Sequence, residues 1–219
     1  TLWTSICCPS FTEGATKMLN RKVPHTRFIE KQIKDARAAV EADSLLSALA
    51  LALTFPDALG QVLYPEMVFD NGKRNAGAQY ARWFDEYVGD DYKASEEPDS
   101  YELKSYFTGK MCWKLRCAYL HAGKSDGDYP YETSGGQSGL EHYFEFELAL
   151  HACDATGDMT ESTMPDLVKR HVRIDIGKLC TCLCDAAELC LHDNAEKFGD
   201  NTSDILDLLH FIELLRLNS

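Results

Sequence analysis

Residues 107–123 read FTGKMCWKLRCAYLHAG, and how this stretch winds decides how the chain is read. As a helix of about 100° per residue, it gathers Met111, Leu115, Ala118 and Tyr119 on one apolar face, the core side. On a surface helix the opposite face would be polar. Here it carries Trp113, Cys117 and Leu120. Arg116 and His121, about 140° apart by the same arithmetic, flank this second strip. A helix with two apolar faces packs on both sides, against another element of the chain or against a second copy of it.

Working outward, the neighbouring segments are also helical. From Thr26, Phe28, Ile29, Ile33, Ala36 and Val40 recur at helical spacing. Asp43 or Ser44 can cap a second helix that is apolar on nearly every side through Phe55, as expected of a helix in the centre of a bundle. Pro56 kinks or restarts it, and helix resumes over 57–63. Ala76, Tyr80, Trp83, Phe84, Tyr87 and Val88 form a third stripe, and the fourth helix spans about 108–121.

Between these helices and after them come segments of other kinds. GDDYKASEEPDSYE (89–102) reads as a solvated acidic loop rather than a metal site. AGKSDGDYPYETSGGQSG (122–139) reads as a mobile loop, and its SGGQSG lacks the Gly-Lys-Ser/Thr end of a P-loop. YFEFELAL (143–150) alternates, with Phe144, Phe146, Leu148 and Leu150 on one face. LVKRHVRI (167–174) sets Val168, Val172 and Ile174 against Lys169, His171 and Arg173. Paired as a hairpin over about 142–175, the two place Glu145 and Glu147 opposite the basic groups. Asp175 caps a further helix with Ile176, Leu179, Leu183, Ala187 and Cys190 in one stripe, and a leucine-rich helix closes the chain over about 204–217. The expected architecture is mainly α: an irregular arm over 1–24, then one helical domain over 25–219 with a single inserted β-hairpin.

Composition narrows the function. Of 219 residues, 35 are acidic and 22 basic, a formal charge of −13, so the chain as a whole repels nucleic acid and any RNA site must be a local basic pocket. The nine cysteines are an odd number crowded late in the chain, which reads as reduced thiols of a cytoplasmic protein. CTCLC (180–184) with Cys190 and His192 invites a zinc reading, but on a helix only Cys180 and Cys184 share a face, and no CxxC knuckle is present. The expectation is therefore no metal and no cofactor. The apolar run LLSALALALTF (45–55) is too short to span a bilayer, and the opening TLWTSICCPSFTEGATK lacks the order of a signal peptide, so no membrane partner is expected.

Two readings of the Arg–His helix stand side by side. In one, Arg116 lies over the apolar strip while His121 caps the helix carboxyl end. In the other, a two-fold axis duplicates the pair, and the pair of pairs holds a phosphodiester. Arginine then binds the phosphate through its forked donors, and histidine moves the proton of an RNA 2′-hydroxyl or of the leaving oxygen.

RCAYLH (116–121) fits the Arg-x4-His motif of the HEPN superfamily, the higher eukaryotes and prokaryotes nucleotide-binding domains. SALALALTFPDALG (47–60), YARWFDEYV (80–88) and residues 107–123, in this order, resemble a bacterial HEPN-like group, over roughly 26–192. The resemblance implies a HEPN-like helical bundle that dimerises through its Arg-x4-His helices. It also implies a metal-independent endoribonuclease of toxin–antitoxin or antiviral defence systems, with Arg116 on the phosphate and His121 as general acid or base. Trp113, Cys117 and Leu120 would lie at the dimer interface, Lys110, Lys114 and Lys124 would supply a basic rim for RNA, and an antitoxin or other protein would be a further partner. The alternative within the same family is a non-catalytic module that binds a nucleotide or a protein. A third possibility is that the 204–217 helix covers the second apolar strip and the chain is a monomer.

Overall fold

The computed structural model describes residues 23–93, 105–122, 128–130, 141–161, 164–198 and 202–203. Its described part is mainly helical, with a small sheet. Helix α1 (His25–Glu41) buries Ile29, Ile33 and Ala36, ends at Asp43 in the left-handed region (φ 57°), and hands over to α2 (Leu45–Ala52). Ser44 stands at the α2 N-cap without a side-chain capping bond. Helix α3 (Phe55–Leu63) restarts the chain with Pro56 in its first turn, where a missing N–H costs nothing.

α2 and α3 together cover Leu45–Leu63, 19 residues that by length and composition alone would cross a membrane; half of that window is buried inside the fold. The central burial expected of the second helix needs correcting. Ala48, Leu49 and Ala52 are buried, but Leu46 is 55% exposed and Ser47 is exposed as well, so α2 covers the bundle from one side.

Helix α4 (Ala76–Tyr87) follows a tight hairpin turn in which Gly72 takes φ 76°. Tyr80, Trp83 and Phe84 are fully buried, and Asn75 caps the helix by accepting from Ala78 N. Helix α5 (Gly109–Ala122) packs on α4 with unusually close backbones. A β-carbon at Gly109 would stand 2.1 Å from the Ala81 carbonyl oxygen, so only glycine fits there. At the other end of the contact the Trp113 ring sits 2.9 Å from where a Gly77 β-carbon would be. Asp85 accepts from Gly109 N at 2.6 Å and so satisfies a donor of the first turn of α5. Burial raises the Asp85 carboxyl pKa in spite of that bond.

The expected hairpin is also corrected. Strands β1 (Val23–Pro24) and β6 (Thr202–Ser203) pair with each other, and a second sheet runs in the order β2-β3-β5-β4. Its strands are β2 (Asp128–Pro130), β3 (Glu141–Ala149), β4 (Ala155–Glu161) and β5 (Met164–Asp175). β3 and β5 are neighbours as expected, but they run parallel, because β4 turns the chain round and pairs antiparallel on the far edge of β5. β2 lies within the stretch read as a loop; residues 123–127 and 131–139 of that stretch are outside the described part. Residues 1–22 of the expected arm and the expected helix 204–217 also lie outside it.

The facing charges hold at Glu147; the side chain of Glu145 lies outside the described part. Glu147 accepts from Arg173 Nε at 2.7 Å and bonds His171 Nε2 at 3.0 Å. Phe146, Val172 and Ile174 turn inward, and Phe146 meets Phe107 edge to face at 6.1 Å, which joins sheet to helices. Asp175 caps helix α6 (Ile176–Asp193) by accepting from Lys178 N, and Ile176, Leu179, Leu183, Ala187 and Cys190 are all buried. A short helix α7 (Ala195–Phe198) ends this part and buries Phe198.

Candidate functional site: a guanidinium pair around Asp57

Counted round the α5 axis, its side chains fall into three sectors. Met111, Cys112 and Leu115 are buried, and Tyr119, beside them, donates its hydroxyl to Leu46 O at 2.9 Å. Trp113, Cys117 and Leu120 are half-buried within the single chain. Trp113 packs on Tyr80, with ring centroids 5.2 Å apart, so the start of α4 covers part of the second strip. The third sector is a stripe of exposed side chains, Lys110, Lys114 and His121, which recur within about 40° of one another over three turns. Lys124 lies outside the described residues.

Arg116 leaves the axis on the far side of the Trp113 strip, yet it reaches His121. Its Nη1 donates to His121 Nε2 at 3.0 Å. Side chains on a helix tilt toward its N-terminus, which brings the His121 ring back over the preceding turn toward the long guanidinium. Since a guanidinium carries no acceptor, Nε2 is the acceptor, and the contact selects the neutral tautomer with the proton on Nδ1. The Arg116 guanidinium also lies over the Trp113 ring, 5.0 Å from its centroid.

The second anchor of Arg116 comes from a distant part of the chain. Nη2 donates to Asp57 Oδ2 at 3.1 Å, with the two side chains 17% and 24% exposed. Asp57 sits in the first turn of α3, where a carboxylate is favoured by the helix dipole. Its other oxygen accepts from Arg74 Nη2 at 2.5 Å, and Arg74 Nη2 also meets the Asp57 carbonyl at 2.9 Å. Arg74 is braced by Gln79, whose Oε1 takes Arg74 Nε at 2.5 Å and whose Nε2 donates to Tyr64 O at 2.7 Å. Gln79 is 1% exposed, so the chain of bonds runs from the core to the exposed imidazole. Arg116 Nε is buried without a hydrogen-bond partner among the described residues. The sequence reading named Arg116 and His121 but neither Asp57 nor Arg74.

The thiols fall elsewhere. Cys180, Cys184 and Cys190 are buried in the core, and burial pushes Cys180 up to about 12 and Cys184 up to about 11, which makes them inert packing groups. No group of three or more His, Cys, Asp or Glu side chains able to hold a metal ion occurs among the described residues.

Chemically, then, the site offers an oriented guanidinium, a neutral imidazole at the surface and a second guanidinium behind them. Compared with protein-family models, with curated proteins and with solved structures, the chain matches none.

Proposed function

We propose that the chain is a metal-independent endoribonuclease of HEPN type that acts as a homodimer through its α5 faces, in a toxin or antiviral defence setting. The observation that carries this reading is the 3.0 Å contact between Arg116 Nη1 and His121 Nε2 at the edge of the exposed stripe, with Arg116 anchored from behind by Asp57. A phosphodiester oxygen that takes Arg116 Nη1 frees the His121 Nε2 lone pair beside it. That nitrogen then accepts the 2′-hydroxyl proton as the 2′-oxygen attacks phosphorus. Arg116 holds the charge that builds on the phosphate oxygens. The His121 of a second copy, in its imidazolium form, gives its Nε2 proton to the departing 5′-oxygen, which leaves a 2′,3′-cyclic phosphate and a 5′-hydroxyl. Lys110 and Lys114, in line with His121, lie where an RNA backbone would track along α5.

The test is incubation of labelled total RNA with the protein in EDTA, beside His121→Ala. Loss of roughly 10²–10⁴ in rate, with cyclic phosphate ends on the wild-type products, is expected. Ends bearing a 3′-hydroxyl, or cleavage that needs magnesium, would sink the mechanism. One observation favours a second reading, a non-catalytic module that binds a nucleotide or a protein: both Nη atoms of Arg116 are engaged within the chain. Wild type and His121→Ala that are equally silent on RNA, and equally tolerated on expression, would support it.

A further inference from the structure

We infer that the site takes two phosphoryl groups in succession, one on Arg116 and the next on Arg74. The inference rests on the reading of Arg116 as a phosphate-binding residue. Asp57 gives each carboxylate oxygen to a different guanidinium, so the two cations are immediate neighbours. One carboxylate neutralises only one of them. At two other clusters the balance runs the other way: Arg37 faces both Asp185 and Glu188, and Arg82 faces both Glu66 and Glu86. Among the described ion pairs, the Asp57 cluster is the one in which arginines outnumber carboxylates, in a chain of net charge −13.

The uncompensated cation is also accessible. Arg74 is held through Nε and Nη2, which leaves Nη1 without a hydrogen bond among the described residues, and the side chain is 35% exposed. The buried Nε of Arg116 also lacks a hydrogen-bond partner among the described residues. The single Asp57 carboxylate between the two guanidinium groups leaves one positive charge, so their mutual repulsion is only partly offset. A ligand with two linked phosphoryl groups supplies one anion to each, through the forked donors that suit phosphate oxygens. Two sources share this chemistry, a single-stranded RNA backbone and a free nucleoside di- or triphosphate.

The experiment measures binding, by calorimetry and fluorescence anisotropy, of inorganic phosphate, pyrophosphate, ADP and 2′-deoxy oligonucleotides carrying one, two and six phosphates. The deoxy chains lack the attacking hydroxyl and stay intact. Arg74→Ala is expected to weaken ligands with two or more phosphates about tenfold and inorganic phosphate less than twofold. It is also expected to lower the salt slope for the longer chains by about 0.7. Affinity that rises with chain length identifies the RNA backbone; pyrophosphate and ADP bound as tightly as the longer chains identify the free nucleotide. Arg74→Lys restores part of the loss, and it carries the comparison alone should Arg74→Ala fail to fold. A wild type that binds none of the probes, or an Arg74→Ala protein with the wild-type ratio of pyrophosphate to phosphate affinity, would overturn the inference. RNA cleavage absent while that ratio depends on Arg74 would remove the nuclease reading alone. Cleavage present with a ratio indifferent to Arg74 would remove the second subsite alone.

Discussion

Asp57 is the residue on which the site turns, because its carboxylate both orients Arg116 and competes with any anion that would bind there. These roles pull a substitution in opposite directions. Asp57→Asn keeps the shape and one acceptor but removes the charge. We expect pyrophosphate to bind several-fold more tightly to this variant, since the internal competitor is weakened. RNA cleavage should fall about tenfold or more, since the guanidinium loses its fixed orientation. Calorimetry and single-turnover rates read the two separately. Parallel loss of binding and rate would show that Asp57 merely holds the fold.

At the scale of elements, the α4–α5 crossing fixes where Arg116 and His121 stand. Gly109→Ala drives a methyl group into the Ala81 carbonyl, a backbone atom that cannot swing away. The expected cost is about 2 kcal/mol, which lowers the melting temperature by roughly 4–8 °C. Calorimetric melting checks it, and an unchanged midpoint would mean that the two helices are not so closely apposed. The sheet offers a pH test. Arg173 first, and His171 after it, hold the Glu147 carboxyl below its ordinary 4.5. A depressed carboxyl stabilises the fold above the unfolded pKa, and the contribution is lost as pH falls through the lowered folded value. The melting gap between wild type and Glu147→Gln should therefore be open at pH 6 and close as pH falls below 4.5. A gap that does not narrow as pH falls below 4.5 would contradict this.

Much of this scale was legible beforehand, and the exceptions have physical reasons. The 3.6-residue period of α1, α4, α5 and α6 is written in their apolar stripes, and Arg116 and His121 could be paired because one helix carries both. Asp57 and Arg74 join them from 59 and 42 residues before Arg116, a proximity that no local periodicity encodes. Alternation in β3 and β5 tells which side chains share a face, but not which way the strands run. In β4, ATGDMTE lacks the apolar alternation that marks a half-buried strand, so the element that reverses the direction was invisible. Leu46 misled for the opposite reason: an apolar composition all round α2 does not oblige every face to be covered.

For the whole molecule the open quantity is mass. The second α5 strip is half-buried in one chain, and the proposed reaction needs two copies of His121 at one phosphate. Light scattering should return twice the single-chain 24.6 kDa at micromolar concentration. A substitution of Leu120 by Arg, at the carboxyl-terminal end of the strip, should return the monomer and abolish cleavage together. A monomeric wild type would end the composite-site mechanism.

The sheet order carries a consequence for biosynthesis. β3 and β4 are separated by the width of one strand, and the strand that fills the gap is made after both. As the chain leaves the ribosome, β3 has its slot beside it vacant until residues through 175 have emerged. β4 and β5, joined by a two-residue link, are the pair that can zip together locally; β3 then closes on the other edge of β5. α6, capped by the last residue of β5, follows at once and brings Leu179 and Leu183 to the bundle. Sheet and bundle are thus closed by one late event in synthesis, so a nascent chain interrupted before β5 has a helix pair shaped for Arg116 but no finished core to hold it.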